Sequence, residues 1–124
     1  MPKEYFICVD GVLVKEFKIL LLKRDVEPFK GFWHVPSGQV EEDETPKQAL
    51  MREFKEETNL DVNVGKIIGY RIEETSDRIK IIVIFEVKSA QGEIKLNSEN
   101  TEYGWFRKFP ANCVVDYGQF LQKE

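Results

Sequence analysis

The sequence has only two cysteines, Cys8 and Cys113, and one histidine, His34. No CxxC pair occurs, and with one histidine no zinc-ligand set is available, while a disulfide between the two cysteines stays open. Both thiols are read as reduced and buried. There is no apolar run long enough to span a bilayer. The first ten residues carry acids and no long apolar segment, so no secretory leader is expected. Low-complexity stretches, internal repeats and linkers are also absent. Lys and Arg number 18 against 22 Asp and Glu, a net charge of −4. A phosphate-tracking surface needs a basic patch, so binding to a nucleic acid polymer is not expected. These absences point to a cytoplasmic protein with no membrane partner.

What is present suits a globular domain. The 124 residues are 42% apolar and 32% charged, enough to bury one core without a staple. Residues 1–124 are therefore read as a single domain. Residues 5–14 read as a strand broken at Asp10-Gly11, and 18–24 as a second strand ending in Lys23 and Arg24. The segment from Pro28 to Pro36 reads as an aromatic loop with Phe29, Phe32 and Trp33. Residues 62–73 and 78–87 read as a hairpin across the polar turn 74–77. The unbroken apolar run 81–85 predicts a strand covered on both faces. A short strand over 102–106 and a short helix over 114–122 complete the pattern, which predicts an α/β protein with a mixed sheet.

The strongest element is a helix over 45–58. Thr45 suits the N-cap, Pro46 the first helical position, and Gln48 completes a capping box. Asn59 stands where the helix should stop, in a position that favours the left-handed conformation. At about 100° per residue, Leu50 and Phe54 define a core stripe. Glu53, Glu56 and Glu57 share the adjoining arc, with Ala49 inside it leaving room for a ligand. Each like-charged pair costs about 0.2–0.5 kcal/mol on an exposed helix. Arg52 and Lys55 relieve only part of this. A hard divalent cation would reverse its sign, and magnesium prefers such oxygen donors.

The residues before the helix extend the pattern. Gly38, Glu44, Arg52, Glu53, Phe54, Glu56, Glu57 and Leu60 follow the spacing G-x5-E-x7-R-E-U-x-E-E-x-G-U. This resembles the signature box of the Nudix hydrolases, MutT-like members included; Asn59 replaces the final glycine. The flanking Trp33 to Gly38, the Leu22-Lys23-Arg24 strand end and the Trp105-Phe106 pair also resemble family features.

The resemblance implies an α/β/α sandwich and a hydrolase that cleaves a diphosphate bond in a nucleoside diphosphate derivative. Mg2+ is the implied cofactor, with Mn2+ as the alternative. Glu53 and Glu57 would be the main metal ligands, with Glu56 and the Gly38 carbonyl as further ones. Arg52 would orient the carboxylates, and Glu44 would support them. Glu99 is the first candidate for the general base, and Glu102 and Glu56 are the alternatives. Arg24 and Lys23 are candidate phosphate contacts, whereas Arg78 reads as a solvated cation. Tyr5, Phe6, Phe29, Phe32 and Tyr103 could stack on a base, although strand aromatics are more often core. His34 reads as a packing residue. The proline common downstream of the box in ADP-ribose-cleaving members has no counterpart. A nucleoside triphosphate or its oxidised form is therefore the leading substrate. ADP-ribose and dinucleoside polyphosphates are alternatives, as is a non-catalytic nucleotide sensor. A homodimer is allowed by resemblance alone.

Overall fold

Alternation of apolar and polar side chains builds most of the sheet. The computed structural model describes residues 2–119. Strand β1 (Glu4–Lys15) turns into β2 (Lys18–Arg24), and two short strands follow, β3 (Trp33–His34) and β4 (Ser37–Gln39). Helix α1 (Pro46–Thr58) precedes the long hairpin β5 (Asp61–Glu74) and β6 (Arg78–Gln91), and β7 (Asn100–Phe106) comes last. The sheet order is β3-β2-β1-β6-β5, with β4 on β1 and β7 on β2. It is mixed: β1 and β6 run parallel over ten paired positions, from Glu4 with Arg78 to Leu13 with Val87, and the other pairs are antiparallel.

Two apolar clusters occupy the two faces. Leu20 and Leu22 of β2 join Val9, Leu13, Leu50, Phe54 and Phe85 under α1. Ile19 and Leu21 face the other way, with Val12, Val35, Ile84 and Tyr117. Both faces of β2 are thus buried, which explains its unbroken apolar run. Gly11 permits the helix to close on the sheet, since a Cβ there would lie 2.4 Å from Phe54 Cε2.

Helix α1 starts and stops as its sequence predicts. The Thr45 side chain accepts from the Gln48 backbone N–H, and the Gln48 side chain accepts from Thr45 N–H. Asn59 ends the helix at φ 67°, with its N–H donating to Lys55 O.

Several expectations are corrected. β1 is continuous through Asp10-Gly11, because β6 pairs along its length. The aromatic loop contains β3, held on β2 by the Leu22–His34 and Lys23–Trp33 pairs. In the run 81–85, Ile82, Ile84 and Phe85 are buried, but Ile81 and Val83 are only partly covered. Ala49 is fully buried against the sheet and leaves no space for a ligand. The helix expected over 114–122 shows only a 3-10 turn at 117–119; residues 120–122 lie outside those described. Cys8 and Cys113 are free thiols, the first buried and the second partly so. Among the described residues no helix is long and apolar enough to cross a membrane.

Candidate functional site

The apolar stripe of α1 continues into two residues that are not apolar: the buried set is Ala49, Leu50, Phe54, Glu57 and Thr58. Helical spacing therefore carries Glu57 inward, where it is 6% exposed. Its Oε1 accepts from Ser37 N–H at 3.3 Å, which ties the helix to the start of β4. Glu53, one turn earlier, is in hydrogen-bond contact with Glu57. Burial pushes the Glu57 carboxyl well above its ordinary 4.5, and contact with Glu53 and the charges of Glu53 and Glu99 push it further. Burial also raises Glu53, opposed by its contacts with Glu57 and Arg52. Two carboxyl groups in contact each disfavour the other's ionised form, an interaction that a cation between them would reverse.

Gly38 lies against this pair. A Cβ there would sit 2.1 Å from Glu53 Cδ, so the backbone of β4 approaches the carboxylate as only glycine permits. β4 is held in place by β1, with Val9 opposite Gly38.

Arg52 fixes the arrangement from outside. Its Nη1 donates to Glu53 Oε1 at 2.7 Å, and its Nη2 donates to the Gln39 carbonyl at 3.1 Å. Glu44 receives a two-pronged contact, Nε–Oε2 at 3.0 Å and Nη2–Oε1 at 2.6 Å. Such a fork is the strong geometry for arginine and carboxylate, and it holds the Glu44 carboxyl below its ordinary range. Glu56 is exposed, and among the described residues its carboxylate bonds only to Arg52, at 3.3 Å.

A cleft of about 320 Å³ opens in front of the pair, between β4, the β1-β6-β5 surface and the Pro28–Phe29 loop. Glu53, Glu57, Gly38, Glu99 and Arg24 all line it. Arg24 has no carboxylate partner among the described residues; its Nε donates to Pro28 O at 2.8 Å. Glu102 is outside the cleft, bonded to Lys23 at 3.4 Å. Lys23 also stands 5.9 Å from the Trp33 ring and does not line the cleft. Of the aromatic candidates only Phe29 lines the cleft. Arg78 lies over the Phe6 ring at 5.3 Å. His34 is buried, its Nδ1 2.6 Å from Val35 O and its Nε2 3.1 Å from Asn100 Oδ1. Burial depresses its pKa, and its contact with Asn100 ties β3 to β7.

The pattern reading missed four charged residues of the cleft: Asp10, Arg71, Glu73 and Lys80. Asp10 is 1% exposed on β1 and bonded to Arg71 Nε at 3.0 Å. Arg71 also bonds Glu73. One signal was available: Asp10 interrupts an otherwise apolar strand.

The residues fit a divalent metal ion. Among the described residues no three carboxylate, imidazole or thiolate side chains converge on one point. The donor set is instead the Glu53–Glu57 pair with the adjoining backbone of Gly38. Magnesium is commonly held by one or two carboxylates, completing its shell with water and substrate phosphate.

The profile of the NUDIX domain matches residues 5–111. The chain is 38% identical over 102 residues to an ADP-ribose pyrophosphatase of Methanocaldococcus jannaschii, covering 81% of this chain and 60% of the relative. It is 32% identical over 88 residues to a CTP pyrophosphohydrolase of Escherichia coli, covering 70% and 65%. It therefore spans about 60–65% of the length of these relatives. The crystal structure of a MutT protein from Methanosarcina mazei superposes with a TM-score of 0.78 at 28% identity, over 98% of this chain and 94% of that one.

Proposed function

From this chain's membership of the NUDIX domain family, we propose that it is a metal-dependent hydrolase of a diphosphate bond in a nucleoside diphosphate derivative. A nucleoside triphosphate or its oxidised form is the first candidate substrate. The observation that carries this reading is the buried Glu53–Glu57 pair beside Gly38, facing a cleft that also holds Glu99 and Arg24.

Glu53, Glu57 and the Gly38 carbonyl would hold Mg2+, or Mn2+ in its place, with Glu56 within one helical turn to join them. The ion, when bound, neutralises the diphosphate and lowers the pKa of water. The protein's own groups do the rest. Arg24 brings an unpaired positive charge to the substrate phosphates. Glu99 takes the proton as water attacks phosphorus and the bond to the leaving phosphate breaks; the reading is supported by its lining the same cleft as Glu53 and Glu57. Arg52 positions Glu53 by direct contact and Glu44 anchors Arg52. Support around ligands of this kind is worth about 10–100-fold in metal affinity or activity.

The relative named an ADP-ribose pyrophosphatase favours a second substrate, ADP-ribose. The test is a product-release screen with Mg2+ across nucleoside triphosphates, 8-oxo forms, ADP-ribose and dinucleoside polyphosphates. Turnover of a triphosphate above the others supports the first reading. ADP-ribose as the best substrate replaces it with the second. No metal-dependent turnover of any of them overturns the hydrolase and leaves a nucleotide sensor.

A further inference from the structure

Side chains alternate across a strand, so the strands that line the cleft also present a face behind it. On β1, Cys8 and Asp10 line the cleft, whereas Val9 and Leu13 point the other way and lie under α1. Helix α1 covers only part of that rear face. Val9 is fully buried, but two and four residues earlier Ile7 is 41% exposed and Tyr5 67%. The neighbouring strands repeat the pattern. Ile7 pairs with Ile81, and Ile81 with Ile72; Tyr5 pairs with Ile79, and Val83 with Tyr70. The β6 members Ile79, Ile81 and Val83 are partly buried. Strand β5 ends the sheet among the described residues, and its Tyr70 and Ile72 are 73% and 58% exposed. Ile67, opposite Phe85 on the same face, is 60% exposed.

Size, charge and position together define what covers this face. A large aromatic carries about 150–250 Å² of surface, so the exposed fractions of two tyrosines and three isoleucines leave roughly 500 Å² of apolar surface open. Soluble monomers seldom expose a larger contiguous patch. A standard interface takes about 800 Å² from each partner, and in homodimers about 65% of it is apolar, again roughly 500 Å². The one charged side chain in the paired rows is Glu74, opposite Ile79, and Lys3 holds it in an ion pair. Covering the face therefore strands no lone charge. A surface without net charge has nothing to recognise a charged partner and nothing to repel its own image. The face also lies behind the cleft, so two copies joined through it leave both clefts open.

We propose that this rear face, with Tyr5, Ile7, Tyr70 and Ile72 at its centre, is the interface through which two copies of this chain pair about a two-fold axis. In such a pairing the same patch serves both copies, so an uncharged apolar face is complementary to itself. Tyr5 and Tyr70 are the anchors, since large aromatics carry most of the binding energy of an interface. The pairing also covers part of β5, an edge strand whose exposed backbone and apolar side chains would otherwise invite uncontrolled association.

The experiment is sedimentation equilibrium over a dilution series of the whole chain. It compares the wild type with Tyr70→Lys/Ile72→Lys, with Tyr5→Lys and with Phe17→Lys. Phe17 is 54% exposed at the β1–β2 turn, outside the face, and serves as the control. Thermal melting checks folding. The substituted side chains are mostly exposed, and Tyr5→Lys on β1 reads the same face if the β5 variant does not fold. The wild type is expected near twice the single-chain mass of 14.5 kDa. Each substitution enters a two-fold interface twice and sets like charges against each other, so the β5 variant should dissociate at least about 100-fold more readily. Tyr5→Lys should weaken pairing in the same direction, and Phe17→Lys should pair like the wild type. A wild type that stays at the single-chain mass at every concentration overturns the proposal. So does a dimer that folded β5 and Tyr5 variants leave intact, or one that Phe17→Lys disrupts as strongly. Binding of a single-chain wild type to phosphatidylcholine vesicles, lost in the β5 variant, would give the face to a lipid surface and overturn the second copy.

Discussion

Replacing Gly38 by alanine adds one methyl group at the most crowded point of the site. The new Cβ would start 2.1 Å from Glu53 Cδ and 2.4 Å from its Oε1. Carbon atoms in contact prefer about 3.5–4.0 Å, so the two must separate by roughly 1.4 Å or more. Neither side yields freely. The strand is fixed by pairing with Val9, and the carboxylate is held by Arg52 at 2.7 Å and by Glu57. Overpacking of this kind costs about 1–3 kcal/mol, equivalent to roughly 4–12 °C in melting temperature for a chain of this size. The catalytic cost is larger, since a misplacement of about 1 Å in a reacting constellation costs on the order of 100-fold. The assay is kcat on the best substrate across a Mg2+ titration, alongside thermal melting. The expected result is a loss of about 100-fold in kcat with a raised Mg2+ requirement in a folded protein. Unchanged kcat and metal requirement would refute the reasoning that Glu53 must sit where it does.

Three other outcomes are expected. Glu99→Gln should lower kcat by about 10²–10⁴, the range for a positioned general base. Glu102→Gln should have little effect, since it breaks only a surface pair; the reverse order would make Glu102 the base. Arg52→Lys should raise the Mg2+ requirement, because a single ammonium cannot reproduce the fork to Glu44 while also holding Glu53; an unchanged Mg2+ titration would remove its positioning role. In EDTA the folded state holds the Glu57 proton to higher pH than the unfolded chain, which releases it near 4.5. Between those two values the folded state binds more protons, so stability must fall as pH rises through the window. Melting temperature should therefore drop from pH 5 to pH 8 by more in the wild type than in Glu57→Gln, and Mg2+ should restore it; equal drops would contradict the buried carboxyl pair.

Local chemistry was legible in the sequence. The capping box at Thr45 and Gln48, the left-handed Asn59, the strand at 18–24 and the hairpin of β5 and β6 all follow from short-range rules. Glu53, Glu57, Gly38, Glu99 and Arg24 could be named in advance, and they line one cleft. Most of the misses are non-local. β1 runs through Asp10-Gly11 because a parallel partner more than 70 residues away supplies its hydrogen bonds. β4 is a strand of three residues that exists only by pairing with β1. Ala49 was placed on the ligand arc, yet the sheet covers it, since a helical wheel does not say which neighbour arrives. Asp10 and Arg71 are 61 positions apart and meet only after β1, β6 and β5 assemble. Lys23 shares a strand end with Arg24, but alternation sends its side chain to Glu102 instead of the cleft.

The most direct test of the central claim is metal binding without substrate. Manganese titrated into the wild type, Glu57→Gln and Glu56→Gln and followed by electron paramagnetic resonance reads the ligand set itself. Strong binding by the wild type and its loss in a folded Glu57→Gln variant are expected, with a smaller effect at the exposed Glu56. Equal manganese affinity in the wild type and Glu57→Gln would contradict the assignment of the buried carboxylate pair as the metal site.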